Sequence, residues 1–181
     1  MKDLYFRLGC FYLMLNAYVN AINYEKCGSG KHILTVRKLS VSPEPIQLSG
    51  KDIRFSIDAE LLQDIPAGAR MIIKAWKVIN IFGMKIFIAA PCISPLGCDI
   101  EHCKIFDGFP DDHCPFTRSG SKCGCPIKSQ VFRAENIVTP LPSLDKVARW
   151  FASGSFWIEV KLVASNSEQL GCYAVSGAAV V

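Results

Sequence analysis

The spacing of the cysteines constrains this chain more than any other feature. Of its nine cysteines, Cys10 lies in an apolar N-terminal run and eight follow it. Cys27 and Cys172 lie near the two ends of the remaining chain, and the other six crowd between residues 92 and 125. An even number of thiols behind a secretory leader is typical of a disulfide framework formed in an oxidising compartment. The pattern therefore predicts a secreted protein whose fold is cross-linked by disulfides.

The first 21 residues have the layout of a signal peptide. Lys2 and Arg7 form a short basic region, and Leu8–Val19 is an apolar run too short to cross a bilayer as a helix. The small or modest side chains of Val19 and Ala21 predict cleavage after Ala21. We therefore assign residues 1–21 to a signal peptide and residues 22–181 to one secreted domain, with an extracellular or lysosomal destination. An N-terminal anchor or a buried helix is the alternative for the leader.

The charge of the chain argues against a nucleic-acid partner. Without the leader the formal net charge falls from +4 to +3, and the lysines and arginines form no cluster. Nucleic-acid-binding domains usually carry a basic patch or stripe. The weak positive charge is compatible with attraction to an anionic lipid or sugar.

Strand patterns recur along the chain, and helix patterns are scarce. Apolar and polar residues alternate over Ile53–Glu60 and over Phe156–Leu162, which is the period of a half-buried strand. Apolar-rich runs add His32–Val41, Met71–Ile79, Ile81–Ile88 and Leu170–Val181 as strands, with turn or bulge points at Asn80 and Gly83. The helix candidate is Ser143–Phe151. This pattern predicts an all-β antiparallel sandwich or cup.

The cysteine-dense stretch between the strands at 81–88 and 156–163 is expected to be one long irregular excursion, because proline and glycine recur in it. Phe106, Phe109 and Phe116 lie in this stretch, and Trp150 and Phe151 end the helix candidate. Loops run over the surface, so large apolar side chains there predict either a plug for the core or a rim that contacts lipid.

The histidines form no recognisable metal or catalytic motif with their neighbours. Cys98, His102 and Cys103 lie close together, but their spacing does not match a paired Cys-x2-Cys zinc site. No Gly-x-Ser-x-Gly nucleophile motif is present. We therefore expect no catalytic residue, no metal and no cofactor. A secreted lipase that uses Asp112 and His113 is the enzymatic alternative.

Four groups of residues, spread over the whole domain, carry a family resemblance. They are Leu39–Ile46 followed by Gly50, Pro91-Cys92 with Cys98 and His102-Cys103, Cys114-Pro115 with Cys123-Gly124-Cys125-Pro126, and Leu170-Gly171-Cys172. Together with the order and spacing of the cysteines, these groups resemble the ganglioside-activator branch of the lipid-recognition (ML) domain family. The resemblance covers essentially all of residues 22–181.

The resemblance implies a fold, a disulfide pairing and a function. The fold would be an immunoglobulin-like β-cup of about eight antiparallel strands in two facing sheets, with an apolar cavity for a lipid and four disulfides. The pairing would be Cys27–Cys172, Cys92–Cys98, Cys103–Cys125 and Cys114–Cys123. The protein would lift a glycosphingolipid or other lipid from a membrane and present it to a hexosaminidase-like glycosidase, without being an enzyme itself.

Ten apolar residues are the expected lipid-binding set. Phe55, Ile57, Ile73, Phe156 and Ile158 would line the cavity from the strands. Phe106, Phe109, Phe116, Trp150 and Phe151 would form a rim that touches the membrane surface. A sterol- or phospholipid-binding member of the same family, and a structural or defensive secreted protein with a filled core, are the alternatives.

Overall fold

The computed structural model describes residues 22–48, 52–91, 98–106, 125–139, 150 and 153–180. Over these residues the chain forms ten strands and includes the short helix α1 (His102–Phe106). The strands are β1 (Asn23–Lys26), β2 (Leu34–Ser42), β3 (Ile46–Gln47), β4 (Ile53–Leu61), β5 (Arg70–Ile81), β6 (Met84–Ala89), β7 (Asp99–Glu101), β8 (Gln130–Thr139), β9 (Gly154–Val163) and β10 (Gln169–Val180). The predicted all-β class is confirmed.

The strands form two sheets. The larger sheet has the order β1-β10-β9-β5-β6, with β3 added beside β10 and β7 beside β5, and the smaller sheet has the order β2-β4-β8. Each described pairing is antiparallel except that of β3 with β10. Strands β3 and β7 have only two and three residues. They raise the strand number above the expected value because such short elements leave no alternation in a sequence.

Strand β4 shows how the alternation sets the two faces of the smaller sheet. Ala59 and Leu61 are buried. Phe55 and Ile57 share their face because side chains two residues apart on a strand point to the same side. Asp58 and Glu60 lie on the other face, where both pair with Arg37 of β2. The predicted strand is therefore present with its apolar side toward the other sheet.

The hairpin of β5 and β6 turns at Gly83, one of the two predicted points, and not at Asn80. Asn80 lies within the ladder opposite Lys85, and the turn consists of Phe82 and Gly83. Both turn residues have positive φ, 51° and 81°, as a two-residue type I′ turn requires. Asn80 is a common turn residue, but here the glycine at the second turn position decides where the chain reverses.

The segment expected to be irregular contains a ten-residue strand, β8. Phe132 and Ala134 are buried and alternate with exposed neighbours, but the period then breaks. Ile57 of β4 pairs with Ala134, whereas Phe55 pairs with Ile137, so β8 contains a bulge. The extra residue shifts the inward-facing positions by one, so the apolar residues of β8 do not follow a period of two along the whole strand. The prediction of one irregular excursion was therefore wrong for this part.

The buried apolar cluster lies at one end of the sandwich. It consists of Ile33, Leu61, Ala69, Ile127, Phe132 and Leu170. We term this the closed end. The strands β5 and β9 run from it to the opposite end, which carries the β5–β6 turn and which we term the hairpin end. Within the described ranges, no helix has both the length and the apolar character needed to cross a membrane.

Two disulfides lie among the described residues, and both are pairs that the family resemblance implies. Cys27–Cys172 joins the residue after β1 to β10, and Cys103–Cys125 joins α1 to the segment before β8. Cys98 is also disulfide-bonded. The other expected partners, which lie outside the described residues, are Cys92, Cys114 and Cys123. The first bridge therefore fastens the start of the domain to its last strand.

Candidate functional site

An apolar cavity of about 290 Å³ lies between the two sheets near the closed end. The smaller sheet contributes Leu34, Val36, Ile57, Ala59, Leu61 and Phe132. The larger sheet contributes Met71, Val160, Leu162, Gly171, Cys172 and Tyr173. The end of the cavity is covered by Ile65, His102 and Ile127.

Small residues keep this space unfilled. Gly171 is buried and lines the cavity, and a Cβ built on it would meet no atom within 4 Å beyond its chain neighbours. Ala59 faces the cavity from the other sheet with only a methyl group. An interior of ordinary packing density would fill such a space, since a void forfeits dispersion contacts. The cavity therefore exists in part because Gly171 and Ala59 have side chains too small to fill it.

The hydroxyl of Tyr173 is satisfied by backbone groups. It accepts a hydrogen bond from the Val36 N–H at 3.0 Å and donates one to the Leu34 carbonyl at 3.1 Å. Because Tyr173 is on β10 and both partners are on β2, the hydroxyl also links the two sheets. With its hydrogen bonds made, this side chain presents mainly its ring to the cavity.

His102 is the buried polar side chain of the closed end, with 1% of its surface exposed. Its Nδ1 lies 3.0 Å from the Ala69 carbonyl, which also accepts the His102 backbone N–H. Its Nε2 lies 3.4 Å from Sγ of Cys125 and 3.7 Å from Sγ of Cys103. The three residues are close enough to share a metal ion, but the two sulfurs are joined in a disulfide. In this form the cluster lacks the thiolates that a soft metal requires.

A charged contact fastens the two loops beside the cavity. Asp64, after β4, accepts hydrogen bonds from Nζ of Lys128 and from the Ser129 N–H, each at 2.8 Å. The Lys128 hydrogen bond first, and the Ser129 hydrogen bond second, hold the pKa of Asp64 below its usual value. The adjacent Ile65 pairs with Ile127 as a β-bridge. These contacts keep both isoleucines over the end of the cavity.

Of the five strand residues expected to line the cavity, one lines it and four lie beyond it. Ile57 lines the cavity. Four others are half-buried and lie on the same faces of their strands, but farther toward the hairpin end: Phe55, Ile73, Phe156 and Ile158. They extend the apolar inner surface from the cavity toward that end.

Most of the residues expected to form the rim lie outside the residues that the structure describes. Phe109, Phe116 and Phe151 are outside the described residues, and so is the side chain of Phe106. Trp150 is described, has helical backbone and is 52% exposed. It lies at the hairpin end, where Lys77 contacts it.

Sequence reasoning missed most of the cavity lining and an exposed apolar hairpin. Continuing the alternation of β4 through Ala59 and Leu61 would have found two lining residues, whereas no sequence signal placed Tyr173 or His102 there. At the hairpin end, Phe82 is 98% exposed. Further large exposed apolar side chains of this hairpin are Ile81, Met84, Ile86 and Phe87. Exposed apolar groups of this kind indicate a contact surface.

Three comparisons with known proteins report what the chain is similar to. The family model described as "ML domain" matches residues 21–178. A ganglioside GM2 activator of Macaca fascicularis is 22% identical over 167 residues, covering 87% of this chain and 83% of that protein. A crystal structure of a Niemann-Pick type C2 protein from Japanese carpenter ant covers 87% of this chain and 99% of its own, with 15% identity and a TM-score of 0.45.

Proposed function

Because the chain belongs to the ML domain family, whose members bind lipids, we propose that it binds the hydrocarbon part of an amphiphilic lipid between its two sheets. The observation that carries the proposal is the apolar cavity, whose two polar side chains are engaged with backbone carbonyls and amides. Its volume of about 290 Å³ is just below the range of roughly 300–1,000 Å³ typical of ligand pockets. The inner surface continues from it toward the hairpin end.

Transfer of a lipid between a bilayer and the cavity requires no chemical change in the lipid. Burying each CH₂ group away from water is worth about 0.8 kcal/mol. A chain that moves from a bilayer into the cavity is buried in both states, so the protein mainly removes the aqueous barrier between them. Such a protein needs no catalytic residue and no cofactor, which fits the absence of a recognisable catalytic motif in the sequence.

The finer function that we propose is extraction of a glycosphingolipid or similar lipid and its presentation to a glycosidase. The relative named as a ganglioside GM2 activator supports this assignment. The disulfides and the apolar leader support a secreted protein with an extracellular or lysosomal destination. In this proposal the protein is an activator, and the hydrolysis is performed by its partner.

The hairpin end is the part that we expect to meet the membrane. Phe82 and Met84 project from the β5–β6 turn, and Lys85 lies between Met84 and the exposed Ile86. Apolar side chains flanked by basic ones suit the boundary between acyl chains and anionic headgroups. A lipid leaving the bilayer there would enter the inner surface at the end where Phe156 lies and move toward the cavity.

A cavity-filling variant tests the proposal. Gly171→Leu should lower lipid uptake about tenfold, because the new side chain occupies the space needed by the ligand. The same change should keep or raise the melting temperature, since it fills a void and replaces a strand glycine. Uptake is measured as transfer of a fluorescent lipid from phosphatidylcholine vesicles to the secreted full chain, with native mass spectrometry of the complex.

The control is Val138→Leu on an exposed position of β8, which should change neither uptake nor stability. If the wild-type protein neither carries lipid after purification nor takes it up from vesicles, the proposed function is wrong. If Gly171→Leu folds and still takes up lipid as the wild type does, the ligand does not occupy this cavity.

A further inference from the structure

A single charged side chain lies on the inner face of the three central strands. The alternation that turns Met71 into the cavity also turns Lys77 inward on β5. The other inner positions of β4, β5 and β9 are apolar residues or glycine. A lysine is rarely placed on an apolar surface without a partner, because desolvation of its charge is costly. Its presence among these residues calls for a function.

The described contacts of Lys77 are all with uncharged groups. Its Nζ donates to the backbone carbonyls of Trp150 and Ser153, each at 2.5 Å, and lies 4.7 Å from the centre of the Trp150 ring. These partners are neutral, and no carboxylate forms an ion pair with Lys77 among the described residues. An ammonium group has three protons, so two carbonyls do not use its full donor capacity.

The register places Lys77 at the far end of a row of apolar inner side chains that starts at the cavity, which we term the inner path. Met71 pairs with Leu162 at the cavity, and Lys77 pairs with Phe156 at the hairpin end. Lys77 lies six positions after Met71 along β5, which is roughly 20 Å of extended strand. The inner side chains between them include Ile73 and Ile158. A hydrocarbon chain laid along this path from the cavity would bring its polar end to Lys77.

We propose that Lys77 binds the oxyanion of the lipid's headgroup. The ligand class is therefore an anionic amphiphile, with a carboxylate or a phosphate within reach of the ammonium group. Charge-assisted hydrogen bonds to such oxygens are about twice as strong as neutral ones, so the oxyanion can displace the carbonyl of Trp150 or Ser153. This inference rests on the proposed function, since it assumes that the hydrocarbon chain occupies the cavity.

Matched ligand pairs test the inference. A fluorescent fatty acid is compared with the fatty alcohol of the same chain, and phosphatidic acid is compared with diacylglycerol, each offered in phosphatidylcholine vesicles at neutral pH. The wild-type protein should bind the anionic member of at least one pair about tenfold more tightly. Preference within the first pair identifies a carboxylate ligand, and preference within the second identifies a phosphate ligand.

Three variants separate headgroup binding from a purely structural role of Lys77. Lys77→Met should abolish the preference while the neutral lipids bind as before, and Lys77→Arg should retain it. Lys74→Met is the matched control, because Lys74 lies on the outer face of the same strand opposite Glu159, and it should change nothing.

Two results would overturn the inference while leaving the proposed function intact. One is equal binding of the anionic and neutral members by the wild-type protein. The other is an equal loss of both members in Lys77→Met, which would show that Lys77 only fastens the segment from Trp150 to Ser153. A wild-type protein that takes up no member of either pair would instead overturn the proposed function and the inference together.

Discussion

At the scale of the residue, the hydroxyl of Tyr173 is the clearest link between the two sheets. Its two hydrogen bonds to β2 are the kind of contact whose removal leaves backbone groups without partners. We therefore expect Tyr173→Phe to lower the free energy of unfolding by about 1–3 kcal/mol. Urea denaturation monitored by fluorescence measures this change.

Tyr24 supplies the matched control for that substitution. Its hydroxyl donates to the Arg37 carbonyl at 3.0 Å in an exposed position, where water replaces the lost bond. Tyr24→Phe should therefore change the free energy of unfolding by less than about 0.5 kcal/mol. Equal effects of the two substitutions would show that the Tyr173 hydroxyl does not fasten the sheets.

Single residues also show where sequence reasoning stops. The inward direction of Ile57 follows from alternation, and the structure places that residue in the cavity lining. Gly171 offers no such signal, because a glycine in a strand has no side chain whose hydrophobicity could assign it to a face. Its importance depends on what lies opposite, which is empty space between the sheets.

At the scale of the element, the β5–β6 hairpin has a regular two-residue turn, but one of the two turn residues is unfavourable for that turn type. Phe82 occupies the first position of a type I′ turn with φ of 51°, where asparagine is strongly preferred over a bulky apolar residue. A fully exposed phenylalanine at a strained position suggests that the side chain is retained for a contact outside the molecule.

The substitution Phe82→Asn separates folding from membrane contact. It should keep or raise the melting temperature, because asparagine tolerates positive φ, and it should lower association with vesicles containing anionic lipid several-fold. Sedimentation of protein with vesicles measures the association. Leu62→Asn is the control at the closed end, because Leu62 is also a large exposed apolar side chain but lies outside the proposed contact. An equal loss in both variants would contradict a specific role of the hairpin.

The strands differ in how well the sequence pattern predicts them. Strand β4 is regular, and its pattern predicts it almost residue for residue. Strand β8 is one residue longer and contains a bulge near Asn136, whose φ is 52°. A pattern of period two cannot follow such a shift, since one added residue exchanges the two faces.

At the scale of the whole molecule, the Cys27–Cys172 bridge closes nearly all of the domain into one loop. Its sequence separation is 145 residues, compared with 22 for Cys103–Cys125. The loop-entropy model assigns about 5 kcal/mol to the longer loop and about 3 kcal/mol to the shorter one. The stabilisation offsets part of the cost of a cavity that side chains do not fill.

The two bridges can be compared directly. The double variant Cys27→Ala/Cys172→Ala should lose more free energy of unfolding than Cys103→Ala/Cys125→Ala, by roughly 1–2 kcal/mol. Denaturant titration of both secreted variants gives the difference. The opposite order would show that local contacts, such as those of His102 with the second bridge, outweigh loop closure.

The sequence by itself determined the strand-rich class and predicted a secreted domain cross-linked by disulfides. These properties follow from the periods and spacings of residues along one dimension, and sequence records such patterns directly. Only the tertiary structure decided where the cavity lies and that Lys77 faces inward beyond it. The position of the cavity depends on small residues that face each other across the two sheets, and the position of Lys77 beyond it depends on the register between strands that are distant in the chain. No local sequence pattern specifies either arrangement.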